Sequence, residues 1–219
     1  NAYYFKKWEN EQSLGIGGRL DMGIRNMDVK GSLSVSYRFD PMHLGTLGAY
    51  GGKMFNTIVD NDAVTFLFQR SNWIEEYRIN PYVSREIVNG LQGTVIFEYV
   101  DRLPIDQYKF GPLTEDWFGG NEPLKFNRYQ TFIANFKLQY TPFQKYMTEP
   151  YRKVILGSKW PTFEATYRRG IPNIFGSDIN FDYAEVAVRQ SFKFRTLGTS
   201  SYHVKSGKFF NKQDLRYVD

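Results

Sequence analysis

Apolar and polar positions alternate one for one along most of the chain. Over residues 13–25 one side collects Leu14, Ile16, Gly18, Leu20, Met22 and Ile24, and the other Gly15, Gly17, Arg19, Asp21, Gly23 and Arg25. A period of two is that of a strand with one apolar and one polar face, whereas a helix would mix the two sets. A turn within 26–30 leads into 31–39, where Leu33, Val35, Tyr37 and Phe39 oppose Ser32, Ser34, Ser36 and Arg38. Asp40-Pro41 stops that strand, because proline has no N–H to give a ladder. The rhythm returns over 91–102, 128–140, 161–169 and 183–197, and more weakly over 43–55, 77–88, 151–156 and 200–209. About ten antiparallel strands are predicted. Val88-Asn89-Gly90-Leu91 is the clearest hairpin signal and predicts a type I′ turn.

Two stretches break the rhythm. Between 57 and 76, Ala63, Phe66, Leu67 and Ile74 follow helical spacing, with Asp60 or Asn61 placed to cap a short amphipathic helix over about 60–75. Phe66, Phe68 and Trp73 would lay that helix at a membrane interface or tuck it into a lumen. Residues 104–127 mix Pro, Gly, Asp and Asn with aromatics and predict a long irregular loop. Gly15-Ile16-Gly17-Gly18 sits inside an alternating strand, where it relieves crowding rather than cradling a phosphate. The fold expected is all-β, an antiparallel up-and-down transmembrane β-barrel, partial, of about ten strands with one short helix in a loop. Residues 1–219 form one such segment of a longer chain.

The membrane reading rests on composition and strand length. No apolar run exceeds Ala2–Phe5 and the mean hydropathy is −0.49, which excludes a transmembrane helix but not a barrel whose strands alternate. The apolar surface is concentrated in 16 Tyr, 19 Phe and 4 Trp. Several segments are long enough to cross a bilayer when tilted, which takes roughly 9–11 residues, against a mode of about 5–6 in soluble sheets. Phe39, Tyr99, Tyr140, Trp160, Tyr167 and Tyr183 lie near predicted strand ends and form a candidate membrane-interface girdle. On the polar faces, Arg19, Arg38, Lys137, Glu164, Arg168, Glu185, Arg189, Lys193 and Arg195 form a candidate charged lumen lining. Such charges are tolerated inside a barrel, while facing lipid near the midplane they would cost up to about 2–4 kcal/mol each.

Candidate catalytic chemistry is thin. The chain has no cysteine, so a disulfide scaffold, thiolate zinc site and cysteine nucleophile are excluded. His43 and His203 stand alone without metal-ligand spacing, no G-x-S-x-G elbow occurs, and no cofactor is expected. Glu164 and Glu185 could be a glycosidase pair, but the basic residues around them make mutual neutralisation the simpler reading. The net charge of +5 suits anionic lipid. Tyr151-Arg152-Lys153 and Tyr167-Arg168-Arg169 suit lipid headgroups or lipopolysaccharide phosphate at a barrel rim better than nucleic acid, which is not an expected partner. A non-enzymatic outer-membrane scaffold, pore or assembly component follows; the alternative is a soluble all-β carbohydrate-binding domain.

The run 151–163 (Tyr-Arg-Lys-Val-Ile-Leu-Gly-Ser-Lys-Trp-Pro-Thr-Phe), with Tyr167-Arg168-Arg169-Gly170-Ile171 and Phe175-Gly176-Ser177-Asp178, resembles the barrel region of a large Bacteroidota outer-membrane family. The likeness extends to 56–77, Val88-Asn89-Gly90-Leu91, Arg189-Gln190-Ser191-Phe192 and Gly207-Lys208-Phe209-Phe210-Asn211. Members of that family carry an N-terminal carboxypeptidase-like regulatory domain followed by a domain of unknown function, and are distantly similar to BamA-type surface-antigen barrels. The resemblance implies residence in the bacterial outer membrane. Outer-membrane lipid, lipopolysaccharide and other outer-membrane or periplasmic proteins are the partners it implies. Similar members continue past both ends, and Tyr217-Val218-Asp219 lacks a terminal aromatic, so missing strands or a partner are expected to complete the barrel.

Overall fold

The computed structural model describes residues 1–23, 28–57, 73–105, 125–193 and 198–215. The strands are β1 (Ala2–Lys7), β2 (Ser13–Gly23), β3 (Asp28–Asp40), β4 (Gly45–Thr57), β5 (Trp73–Val88), β6 (Leu91–Pro104), β7 (Tyr129–Tyr140), β8 (Lys145–Glu149), β9 (Arg152–Gly157), β10 (Thr162–Gly170), β11 (Phe181–Lys193) and β12 (Thr199–Asn211). Ten of them form one sheet in the order β1-β2-β3-β4-β5-β6-β7-β10-β11-β12, each antiparallel to its neighbours. β8 and β9 form a separate hairpin between β7 and β10. Among the described residues β1 and β12 are each paired on one side only, so the sheet is an open meander.

The alternation fixes which side chains share a face. Cross-strand register puts Lys137, Gln139, Glu164, Thr166, Glu185 and Arg189 on one face and Phe136, Leu138, Phe163, Tyr167, Ala184 and Val186 on the other. Exposure along β7 and β10 runs opposite to that of a soluble sheet. Phe136, Phe163 and Tyr167 are 44%, 44% and 41% exposed, whereas the Glu164 side chain on the charged face is 10% exposed. β5 repeats the inversion, with Tyr77, Ile79, Val83 and Ile87 exposed and Glu76 and Glu86 buried. The apolar cluster that does form, Tyr129, Ile133, Ile179 and Phe181 with Tyr183 and Phe209 packed on it, sits on the charged face rather than beneath the apolar one.

Glycines make room for aromatic rings on the charged face. Tyr82 faces Gly48 across β4–β5, where a Cβ would come 2.7 Å from the ring, and a Cβ at Gly207 would come 2.1 Å from the Tyr183 hydroxyl. On β2 a Cβ at Gly15 would come 3.3 Å from the Tyr3 hydroxyl and one at Gly17 2.8 Å from Ser34 Oγ.

Four expectations change. The residues expected to be helical lie mostly outside the described residues, but Trp73 and Ile74 are strand, since Ile74 pairs with Asn56 on one side and Pro104 on the other. The hairpin at Asn89-Gly90 is not type I′: of its two central residues Gly90 alone has positive φ, at 83°. A register shift between Glu86 and Val88 absorbs the strand twist that a type I′ turn would otherwise match. The 151–156 segment is a strand but belongs to the detached hairpin, and β1 and β8 are strands that short or irregular patterns concealed. Pro81 lies inside β5, and the β5–β6 register passes from Ile79 opposite Tyr99 to Tyr82 opposite Ile96 without pairing Asn80 or Pro81, as a residue without N–H dictates.

Candidate functional site

The charged face is the most organised part of the molecule. Glu164 on β10 lies 3.0 Å from Lys137 of β7 and 2.9 Å from Arg189 of β11, and Arg189 also reaches Gln139 at 3.0 Å. Glu185 accepts the Tyr183 hydroxyl at 2.7 Å, and the Arg168 guanidinium stands 5.9 Å from the Phe181 ring. These four of the expected charges are brought into one neighbourhood with Lys137, and both candidate carboxylates are occupied by these contacts. Arg19 is set apart on β2 and pairs with Asp21 at 2.6 Å, while Arg38 on β3 is exposed opposite Ser13 and Thr46. Lys193 ends β11, with its side chain outside the described set; Arg195 lies outside the described residues. His43 sits at the β3–β4 turn with Nδ1 3.0 Å from Asp40, and His203 faces Arg189 from β12.

A deeper network went unanticipated. Glu76, 2% exposed, accepts from Arg102 Nε at 2.9 Å, Arg78 at 2.8 Å and Asn56 at 2.5 Å, and Arg102 also donates to the Tyr129 hydroxyl at 3.3 Å. Burying a carboxylate requires this saturation, because an unpaired charge in a low dielectric is expensive. Glu76 and Arg102 face each other directly across the β5–β6 ladder, a pairing hidden because the predicted helix ran to about residue 75 and the predicted strand began only at 77.

At the end of the sheet where β1–β2, β3–β4 and β5–β6 turn, the β8–β9 hairpin folds over the charged face. The Lys153 ammonium is ion-paired with Glu86, the two side chains 8% and 4% exposed, and also donates to Asn89 at 2.9 Å. Its backbone N–H reaches Pro41 O at 3.2 Å, and its ammonium stands 4.2 Å from the Tyr146 ring. Arg152 pairs with Glu149 at 2.5 Å and reaches Glu11 in the β1–β2 turn at 3.6 Å. Asn89 Nδ2 donates to Gln144 O at 2.9 Å, and Gln144 donates to Glu86 at 3.2 Å. Two consecutive residues thus touch three turns, the outermost of which a flat sheet would hold about 19 Å apart. Lys153, expected at a lipid-facing rim, is instead buried in this contact. The hairpin signal at Asn89 pointed to a turn; its side chain turned out to be an anchor.

The opposite face carries a band of exposed apolar side chains. On β7 it spans half-buried Phe132 and exposed Phe136, Leu138 and Tyr140, with Ala134 buried between them, about 27 Å along the strand at roughly 3.4 Å per residue. Its upper limit is marked by charges on the same face: Asp101 follows Tyr99 and binds Arg128 at 2.9 and 2.5 Å, and Asp182 pairs with Arg169 and accepts the Tyr167 hydroxyl. Tyr140, opposite Phe163, and Trp160, with its ring 5.5 Å from that of Phe143, mark the turn end. Phe39 lies at the β3–β4 register shift against Gly45. Tyr183 departs from this set. Opposite Arg168, it lies on the charged face and packs against Phe209 at 4.7 Å.

Fold and site define an all-β protein built on one ten-stranded antiparallel meander, with an exposed apolar face and an ion-paired face capped by a hairpin. The model of a family of unknown function, the DUF5686 C-terminal domain, matches residues 1–219, and the chain belongs to that family. No curated protein and no solved structure matches the chain.

Proposed function

We propose that the chain is a segment of an integral outer-membrane β-barrel with a non-enzymatic role, as scaffold, pore or assembly and translocation component of an envelope complex. The observation that carries this reading is the inverted exposure of the sheet. In water, the exposed Phe136, Leu138, Phe163, Val186 and Val204 would be a costly continuous patch, while Glu164 and Glu86 are shielded by their partners. In a bilayer the same arrangement is favourable, with apolar side chains meeting lipid and charges facing a hydrated lumen. Once tilted by about 40°, the apolar band on β7 stands roughly 20 Å tall, near the ~25 Å of outer-membrane barrels. A bilayer leaves no backbone donor unpaired, so β1 and β12 would meet further strands of the same protein or a partner. Lipid and lipopolysaccharide are the surroundings proposed, and kinship with surface-antigen barrels remains part of the proposal.

The described residues carry no free cysteine, so single introduced cysteines report unambiguously on this segment. In the full-length protein in cells, Phe136→Cys is expected to react with a lipid-soluble maleimide and Lys137→Cys with a water-soluble one. The protein should fractionate with the outer membrane and shift on unheated gels. Recovery as a soluble, detergent-independent monomer, or the reverse labelling pattern, would overturn the reading.

A further inference from the structure

The apolar face is not smooth. Across β5, β6 and β7 a concavity of about 570 Å³ opens between Ile79, Pro81, Phe97, Tyr99 and Phe132, with Phe175 as its overhang. The depression arises where Pro81 interrupts the β5–β6 ladder and where β10 ends at Gly170, leaving β7 to be flanked by residues 171–178. That segment is pinned by Ile171 N–H to Phe132 O at 2.9 Å, Asp178 N–H to Gln130 O at 2.9 Å and Phe132 N–H to the Ser177 hydroxyl at 3.1 Å.

Within it, Phe175 adopts φ 48° and ψ 33°, a left-handed conformation that a bulky residue avoids, between Asn173 at φ 64° and Gly176 at φ 77°. Strain of this kind persists only where surrounding contacts impose it, and an observed outlier invites a functional reading. Here the strained backbone does not bury the ring. Phe175 stays 72% exposed, edge-on to Phe132 at 5.6 Å and to Tyr99 at 6.2 Å. It stands over the concavity as one wall. Directly beyond Tyr99 on the same face, Asp101 holds Arg128, whose side chain is 60% exposed. Two guanidinium atoms, Nε and one terminal nitrogen, face Asp101, and the group has further N–H donors to offer an anion.

We propose that this groove, resting on the barrel reading above, holds an acyl chain of lipopolysaccharide, with a phosphate of the same molecule on Arg128. The chain chemistry follows from the lining, which is apolar and aromatic save for Gln130. The leaflet follows from position. The groove lies at the end of the band where both the 4→5 and 6→7 connections are long, while the other end carries one long connection, the β8–β9 hairpin between β7 and β10, and in outer-membrane barrels the long loops are extracellular. A phosphorylated, acylated lipid then meets both halves of the site, hydrophobic groove and cationic edge.

The test uses the full-length protein purified in detergent micelles and native mass spectrometry, titrated with lipopolysaccharide and, separately, with phosphatidylglycerol. Wild type is expected to retain one lipopolysaccharide under conditions that strip the rest. Phe97→Trp, which fills the groove, and Phe175→Gly, which removes its wall, should each weaken retention about tenfold or more. Arg128→Gln should weaken it less. Phe175→Gly relieves the left-handed strain, so its gel shift on unheated gels and thermal midpoint should be preserved or improved, separating loss of the site from loss of the fold. Unchanged retention in the first two variants, or equal retention of phosphatidylglycerol, overturns the groove proposal while leaving outer-membrane fractionation intact. If the protein does not fractionate with membrane, the barrel reading itself fails.

Discussion

The two ends of the charged face are both filled, but by different physics. Towards the long connections, Tyr129, Ile133, Ile179 and Phe181 exclude water by packing, with Tyr183 and Phe209 closing the cluster and the buried Glu76–Arg102 pair joined to its edge through the Tyr129 hydroxyl. Towards the tight turns, Lys153 and Glu86 are shielded from water by pairing, with Asn89 and Gln144 bound to them at the edge. An apolar cluster gains stability from each atom it buries, and the loss on truncation is gradual and accumulates. A buried ion pair gains little over an apolar pair of the same shape, yet it holds one geometry, since either partner alone is a stranded charge. The packed end is therefore the one that stabilises. The paired end fixes where the β8–β9 hairpin sits.

That difference sets the largest expected effects. Lys153→Met strands Glu86 and should cost about 3–5 kcal/mol of unfolding free energy, seen as a fall in the urea midpoint. The double variant Glu86→Leu with Lys153→Met should recover most of that loss. At the other end Phe181→Ala should also cost about 3–5 kcal/mol, but adding Ile179→Ala should deepen the loss rather than restore it. A double variant that recovers nothing at the hairpin would show that the pair is not the element holding it. Recovery at the aromatic end would erase the contrast.

A smaller effect is expected where the packed end meets the glycine that admits it. A Cβ at position 207 would come 2.1 Å from the Tyr183 hydroxyl and displace that ring from Phe209 and from Glu185. Gly207→Ala should cost about 1–3 kcal/mol, the range of overpacking, and Tyr183→Phe in the same chain should recover part of it by removing the clashing oxygen. If Tyr183→Phe recovers nothing, the hydroxyl is not what the glycine accommodates.

Much of the sheet was legible because a period of two survives in almost every strand. The alternation named both faces of β2, β3, β7, β10 and β11 residue by residue, and it sorted Lys137, Glu164 and Arg189 onto one of them. What it could not carry was any contact made outside the ladder. Lys153 looks like a rim cation beside Tyr151 and Arg152, because nothing local records that residue 86 will stand beneath it. Ile74 looked helical because it keeps helical spacing with Ala63, Phe66 and Leu67, while its strand partner Pro104 is distant in sequence. Phe175 carries no pattern at all. Its position depends on where β10 ends, and end points are set by tertiary hydrogen bonds such as that of Ile171 to Phe132.

The smallest effect separates the hairpin's outer contacts from its buried one. Glu149 is held below the ordinary glutamate value of 4.5, first by the hydrogen bond from the Arg152 side chain, against some burial, and with help from the charges of Arg152 and Lys7. A carboxyl with a lowered folded value stabilises the fold above its unfolded value, and that contribution is lost as the pH falls through the folded value. Amide protection factors in β8 and β9, exchange rates taken relative to the unstructured chain at the same pH, should therefore be flat from neutral pH down to about 5, and fall only below the ordinary glutamate range. Glu149→Gln should leave exchange at pH 7 nearly unchanged, since solvent screens exposed pairs, and should blunt the acid response. An equally strong response in that variant would assign the acid sensitivity to another carboxylate of the hairpin contact, of which Glu86 and Glu11 face Lys153 and Arg152 directly.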